Sequence, residues 1–313
     1  SPLGVLICKL APALAAGNAV VIKPSEHASV STLELMSVLQ EADLPEGLLN
    51  VVTGYGKSTG ESLVDHPDVR MVSFTGGVSG GRAAAEVAAR RVKPVVMELG
   101  GKSPQIILQD ADMDLAVNGV VSGIFPATGQ SCISGSRILV HQSQVQDFTE
   151  RLVDVASRAR VGDPLDPSTQ VGPIANRPHY DKVLRDIENA LTAGAELLLD
   201  GRGKGPEQGY YIGPTIFGGV ANDARLAQEE VFGPVVVMIP YVDEDEAVRM
   251  ANDTVYGLAA GIWTQDVNKA IRMVDRIQAG TVYINNYFNA ATQSPVGGFK
   301  QSGYGREAGF EGM

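Results

Sequence analysis

The first hundred residues alternate short β-rich runs with longer helical patterns, and that alternation narrows the fold more than any other feature of the chain. Ala19-Val20-Val21-Ile22 precedes a helical pattern over 31–42, and Leu48-Leu49-Asn50-Val51-Val52 precedes one over 59–65. Met71-Val72-Ser73-Phe74 precedes a third over 82–90, and Pro94-Val95-Val96-Met97 follows it. Strands that alternate with crossover helices predict βαβ units and a parallel sheet. Ser31-x-x-Glu34 predicts a capping box at the start of the first helix, and Asp43-Leu44-Pro45-Glu46-Gly47 predicts the break after it. A second α/β block fills the remainder, with helices predicted over 145–158 and 178–193.

With 313 residues, 44% hydrophobic and 19% charged, the chain is long enough to bury two cores. A net charge of −11 with no basic stripe argues against nucleic acid and anionic membranes as partners. Residues 3–22 are largely apolar, but Lys9, Pro12, Gly17 and Asn18 interrupt them too often for a membrane span, and no basic n-region precedes them. Two cysteines in unlike surroundings make no disulfide framework, so the expectation is a reducing, cytoplasmic compartment. His27, His66, His141 and His179 are scattered without ligand spacing, so no metal site is expected.

Cys132 stands in Gly129-Gln130-Ser131-Cys132-Ile133-Ser134-Gly135-Ser136-Arg137, among small polar residues that leave a thiol reachable. Cys8, in Leu6-Ile7-Cys8-Lys9-Leu10, reads instead as a small buried hydrophobe. Glu98 closes the apolar run 94–97, at the strand end where α/β sheets place their ligands. Phe74-Thr75-Gly76-Gly77-Val78-Ser79-Gly80-Gly81 is a glycine-rich strand-to-helix turn whose backbone N–H groups suit a phosphate, although many such turns hold no ligand. Lys23-Pro24-Ser25-Glu26 puts an ammonium and a carboxylate at another strand end.

Met97-Glu98-Leu99-Gly100-Gly101-Lys102-Ser103-Pro104 and the Gly-Gln-x-Cys segment resemble the two signature motifs of the aldehyde dehydrogenase superfamily, in the family's order and separation. Glu229-Glu230-Val231-Phe232-Gly233-Pro234 and Ser294-Pro295-Val296-Gly297-Gly298-Phe299-Lys300-Gln301-Ser302-Gly303 resemble two more, and the similarity runs from Ser1 to Met313. The resemblance implies a partial Rossmann-like, parallel-sheet NAD-binding domain over 1–100. It implies an α/β catalytic domain over 101–300 and a return segment over 301–313. It also implies that the family's first third and extreme C-terminus lie outside this sequence.

By the same resemblance Cys132 is the nucleophile that attacks an aldehyde carbonyl, hydride passes to NAD, and Glu98 activates the water that hydrolyses the thioester. The oxyanion is held by the Cys132 backbone N–H and by an Asn side chain that would directly precede Ser1. Lys23, Ser25, Glu26, Gly56, Phe74, Gly76, Gly77, Gly80, Gly81 and Leu99 fall at NAD-contacting positions, and Glu230 and Phe232 at the nicotinamide end. Gly77 stands where Ser is common, and Gly80 where a Val often packs on adenine. Glu26 near the ribose hydroxyls makes NADP the less expected cofactor, because a carboxylate repels its extra phosphate. Phe125, Phe288, Ala290 and Val296 fall on the aldehyde funnel, and the two smaller side chains suggest room for larger substrates. Family members pair into dimers or tetramers, which implies a homodimer or homotetramer for the parent protein. Two other readings remain open at this point. One is a reductase of acyl phosphates or acyl thioesters in the same superfamily, and the other is a non-catalytic structural chain on the same fold.

Overall fold

The structure, a computed structural model, describes residues 2–289, 291, 293–310 and 312–313. The chain divides into two units, Ser1–Leu99 with Ala290–Met313, and Gly100–Asn289. The first begins with α1 (Pro2–Ala15), β1 (Val20–Ile22), α2 (Ser29–Gln40) and β2 (Leu49–Val51), and β1 and β2 pair in parallel with Ile22 opposite Val51. A π turn over Gly56–Gly60 leads into α3 (Glu61–Asp65), followed by β3 (Val72–Thr75), α4 (Val78–Ala89) and β4 (Val95–Glu98). β3 and β4 are parallel neighbours with Thr75 opposite Glu98.

Three sequence expectations need correction here. The helix after β1 starts at Ser29, with Ala28 at its N-cap and no side-chain cap, so Ser31 lies inside the first turn and the capping box does not form. A turn closed by Ala28 N–H to the Ser25 carbonyl brings the chain into helix early. α4 starts four residues before position 82, so Gly80 and Gly81 are helical. Glycine costs a helix about 1 kcal/mol per residue, but here a methyl group would lie 3.0 Å from the Phe74 ring at position 80 and 2.5 Å from Leu99 at position 81. Cys8 is exposed rather than buried. On α1 the buried residue is Leu10, and two residues away the side chain points to nearly the opposite face.

The second unit contains β5 (Pro104–Ile107), α5 (Met113–Ile124), β6 (Arg137–His141), α6 (Val145–Ser157), α7 (Arg177–Thr192), β7 (Glu196–Leu199), β8 (Thr215–Gly218), α8 (Arg225–Gln228), β9 (Val235–Tyr241), α9 (Glu244–Asn252), β10 (Ala259–Trp263), α10 (Val267–Val274) and β11 (Thr281–Ile284). Its seven-stranded sheet runs β11-β10-β5-β6-β9-β8-β7, parallel throughout except for β7 against β8. Strand alternation divides the apolar residues between the two faces. Ile106, Leu139, Val235, Val237 and Ile262 pack with Val183 and Ile187 of α7, Ala247 and Ala251 of α9 and Met273 of α10. Ile107, Ile138, Val140, Val236 and Met238 pack with Val117, Val120 and Ile124 of α5 and Phe148 and Leu152 of α6. Side-chain carboxylates or amides open four of the helices: Asp112, Asp243 and Asp266, where the chain leaves the sheet, and Asn176, after the loop that follows α6, each accept from a first-turn N–H.

The chain then returns to the first unit with β12 (Gly303–Tyr304), antiparallel to β4, which makes β4 the central strand of a β12-β4-β3 sheet. Among the described residues no helix is long and apolar enough to cross a membrane. Nor do three or more His, Cys, Asp or Glu among them gather as a metal site would require.

Candidate active site

In the first unit, Glu98 ends the central strand, with Gly303 on one side and Thr75 on the other. Its residue exposure is only 6%, and its Oε1 has no hydrogen-bond partner among the described residues. Burial, reinforced by the negative charge of Glu307, raises its pKa to about 7 against the opposing pull of Lys9 and Arg306. A carboxyl group whose pKa lies near neutrality is partly carboxylate there, and in that form it can take a proton from water. Glu307 forms an ion pair with Lys9 of α1 and accepts from the Ser73 hydroxyl at 2.7 Å, while the Lys9 ammonium also donates to Ser73 at 2.8 Å. Nothing in the sequence marks Ser73 or Glu307 as neighbours of Glu98, and Lys9 shows only as a charge interrupting a largely apolar stretch.

The same unit carries most of the expected dinucleotide residues. Gly76 follows β3, and its N–H donates to the Glu98 carbonyl. Gly77 is the N-cap of α4 in extended conformation, without a side-chain cap, and a Cβ there would meet nothing within 4 Å. That uncrowded helix start, beside the half-buried Phe74 ring and the buried Leu99, is a cradle that fits a phosphate. After β1 the Lys23 ammonium donates to the carbonyls of Pro24 and Gly54 at 2.8 and 3.2 Å, while Ser25 and Glu26 stand exposed. Gly56, also exposed, opens the π turn. Val296 pairs with Glu307 through two backbone hydrogen bonds of 2.7 and 2.8 Å. Ala290 lies outside the described residues.

In the second unit, Cys132 occupies the connection between α5 and β6. Ala127, Thr128 and Gly129 are successively left-handed, with φ of 52°, 58° and 67°. Such residues cost about 1–3 kcal/mol each where they are not glycine and persist only when the surroundings hold them. The Thr128 hydroxyl donates to the Gly172 carbonyl at 2.9 Å, and the Gln130 amide bridges the Pro173 carbonyl and the Ala175 N–H. At Gly129 a Cβ would lie 2.1 Å from the Gly233 carbonyl oxygen, so only glycine fits.

Beyond the thiol the loop is held just as closely. The Tyr287 hydroxyl donates to the Ile133 carbonyl at 2.7 Å. Gly135 donates to Gly123 and accepts from the Gln105 amide, whose own oxygen takes the Trp263 indole N–H at 3.1 Å. The half-buried Cys132 is thus fixed by the backbone on both sides of it. Gly101 passes so close that a Cβ on it would lie 2.5 Å from the Cys132 carbonyl oxygen.

Glu230 follows α8 and accepts from the Gly101 N–H at 3.0 Å, and burial raises its pKa against that hydrogen bond and the charge of Lys102. Phe232 is left-handed and half-buried. Phe288, also left-handed and half-buried, stands edge-on to the Tyr287 ring at 5.4 Å. Phe125, at 3% exposure, is a core side chain at the end of α5.

The family model described as the aldehyde dehydrogenase family matches residues 1–313. The betaine aldehyde dehydrogenase of Brucella anthropi is 45% identical over 315 aligned residues, which take in 100% of this chain and 64% of that protein. The NAD-dependent aldehyde dehydrogenase from Sinorhizobium meliloti superposes with a TM-score of 0.97 at 42% identity, covering 99% of this chain and 62% of that one. The NAD+ complex of the aldehyde dehydrogenase from Bacillus cereus superposes with a TM-score of 0.97 at 38% identity, covering 99% and 63%. The chain therefore spans a little under two thirds of the length of these relatives. A buried carboxyl at a strand end, a thiol on a clamped loop and a match across the full described length agree with one another, and the chain belongs to the aldehyde dehydrogenase family.

Proposed function

We propose that this chain carries the chemical centre of an NAD-dependent aldehyde dehydrogenase, which oxidises an aldehyde to a carboxylic acid. The observation that carries the reading is the pairing of residue types with their surroundings: a thiol on a loop held from both sides, and a buried carboxyl with its pKa near 7. Cys132, as thiolate, adds to the aldehyde carbon and gives a thiohemiacetal whose oxyanion is stabilised by the Cys132 backbone N–H. NAD, when bound, supplies the hydride acceptor. The α4 N-terminus from Gly77 to Gly80 holds the phosphates, with Gly76 and Gly81 giving their own N–H groups to the Glu98 and Gly77 carbonyls, while Lys23 and Glu26 hold the adenine ribose. Glu230 and Phe232 orient the nicotinamide end. Glu98 then takes a proton from water, which cleaves the Cys132 thioester and releases the acid.

The cluster of Glu307, Lys9 and Ser73 sets the electrostatics of that base, since the Glu307 charge makes Glu98 harder to ionise and Lys9 opposes it. A carboxylate at position 26 favours NAD over NADP by like-charge repulsion. Of the side chains expected on the aldehyde funnel we keep Phe288 and Val296; Phe125 is a core residue and Ala290 lies outside the described residues. The name of the Brucella anthropi relative puts betaine aldehyde first in any panel of substrates, beside short, long-chain and aromatic aldehydes.

The test combines NADH formation with mass spectrometry of the protein. Wild type should form NADH, Cys132→Ala should form none, and Glu98→Gln should accumulate an acyl adduct on Cys132 that turns over slowly. NADH formation that persists in Cys132→Ala would overturn the mechanism.

A further inference from the structure

Phe232 holds a left-handed backbone, φ 59°, which is unfavourable for a residue carrying a ring. What holds it there comes from one helix. The imidazole of His179, in the first turn of α7, donates from Nε2 to the Phe232 carbonyl at 2.7 Å, and its ring meets the Phe232 ring edge-on at 5.7 Å between centroids. His179 is itself fixed at the helix start, where its N–H donates to the Asn176 side chain at 2.9 Å. One turn along α7, the Lys182 ammonium donates to the carbonyls of Glu230 and Val231 at 3.0 and 3.1 Å while paired with Asp186 at 2.8 Å. Next to it, Val183 closes on Gly233, where a Cβ would lie 2.9 Å from its methyl group. Three successive carbonyls, 230 to 232, therefore accept from α7.

We infer that His179 is a positioning residue for the Glu230–Phe232 segment: it locks the strained Phe232 peptide so that the Glu230 carboxylate and the Phe232 ring meet the nicotinamide end of the dinucleotide in one fixed arrangement. This rests on the assignment of Glu230 and Phe232 to the cofactor. Burial disfavours the imidazolium, and a neutral ring that donates from Nε2 needs only one tautomer for the task. None of these bonds runs to the thiol loop or to Glu98; the segment meets that loop through Gly233, which packs against Gly129 and is held separately by Val183, so loss of the His179 bond falls first on cofactor binding.

The experiment compares wild type with His179→Leu, which removes the donor, and His179→Gln, which restores an N–H at similar reach. Three quantities are read in each: amide hydrogen exchange over residues 229–234 without cofactor, the Kd for NADH, and the rate at which iodoacetamide alkylates Cys132. Losing one buried hydrogen bond corresponds to about a tenfold effect. In His179→Leu, exchange over 229–234 should therefore quicken and the Kd rise about tenfold, while alkylation stays at the wild-type rate; His179→Gln should recover most of both. Unchanged exchange in His179→Leu, or equal defects in the Leu and Gln variants, overturns the proposal. If wild type binds no NADH, the dinucleotide reading falls, and the exchange comparison still decides whether His179 locks the segment.

Discussion

At position 101 a side chain as small as a methyl would lie 2.5 Å from the Cys132 carbonyl oxygen and 3.3 Å from the Leu258 Cβ, and neither neighbour can swing aside. Gly101→Ala should therefore push the nucleophile loop out of place, lowering the alkylation rate of Cys132 and costing about 1–3 kcal/mol of stability. Its neighbour makes the contrast, because a Cβ at Gly100 meets the far end of a side chain, 2.2 Å from Glu230 Oε2, and no backbone atom. Gly100→Ala should lower the melting temperature less than Gly101→Ala, because only the Glu230 carboxyl and its hydrogen bond from Gly101 have to give, and it should weaken NADH binding. Equal melting shifts in the two variants would refute the distinction.

Glu98 yields a pH prediction with a definite sign. Its folded pKa is raised to about 7, so the base form fills as pH rises through that value. Hydrolysis of the acyl adduct should climb across the same range and level off above it, and in Glu98→Gln it should be slow and flat. For stability, the folded state holds this proton more tightly than the unfolded chain, so the contribution of Glu98 is present at low pH and lost as pH rises through about 7. Glu98→Gln should thus gain on wild type above neutrality, as read from urea midpoints on either side of it.

Between elements, the costliest arrangement is a pair of buried cations where β5, β6 and α9 meet. The Arg137 guanidinium caps the end of α9, donating to the carbonyls of Met250 and Ala251 at 2.9 and 2.8 Å, and also to the Lys102 carbonyl at 2.9 Å. The Lys102 side chain, at 2% residue exposure, has its pKa lowered to about 7, first by burial and then by Arg137. The folded state therefore binds fewer protons than the unfolded one between about 7 and the ordinary lysine value near 10.4, so wild-type stability should rise with pH through that window. Lys102→Met should stabilise the fold by about 1–4 kcal/mol on the acid side and lose that advantage as pH approaches about 10. A urea-midpoint difference that does not vary with pH would count against it.

Legibility from sequence was uneven at this scale for physical reasons. α6 and α7 fall within one residue of their expected spans because their apolar faces repeat with helical period. α2 and α4 start ahead of the local sequence pattern because a turn at Ser25–Ala28 and packing against Phe74 and Leu99 outweigh local propensity. The thiol and the strand-end carboxyl were readable from their local setting. The surroundings that tune them were not, since Glu307 meets Lys9 across 298 residues of sequence and Tyr287 reaches Ile133 across 154.

Across the whole molecule, apolar burial is unevenly shared. Both large core clusters belong to the unit Gly100–Asn289. In the other unit the buried apolar residues are Leu10, Ile22, Val87, Ala88, Met97 and Leu99 among those described, while Val21, Val30, Val38, Tyr55 and Met71 stand exposed. Each large apolar side chain left in water forgoes about 1.5–3 kcal/mol, so this unit should be the weaker one and should open first under denaturant. The composition supplies the probe, because the single tryptophan, Trp263, is buried in the core beneath the Cys132 loop. Far-ultraviolet circular dichroism reports helices of both units, whereas tryptophan fluorescence reports only the second. In urea the dichroism should begin to fall before the fluorescence changes, giving two transitions that do not coincide. Saturating NADH should draw the first toward the second, because a ligand that binds the folded state stabilises what it touches. Superimposable curves without cofactor would mean that the two units unfold as one, and that the thin core of the first is no weaker than the sheet of the second.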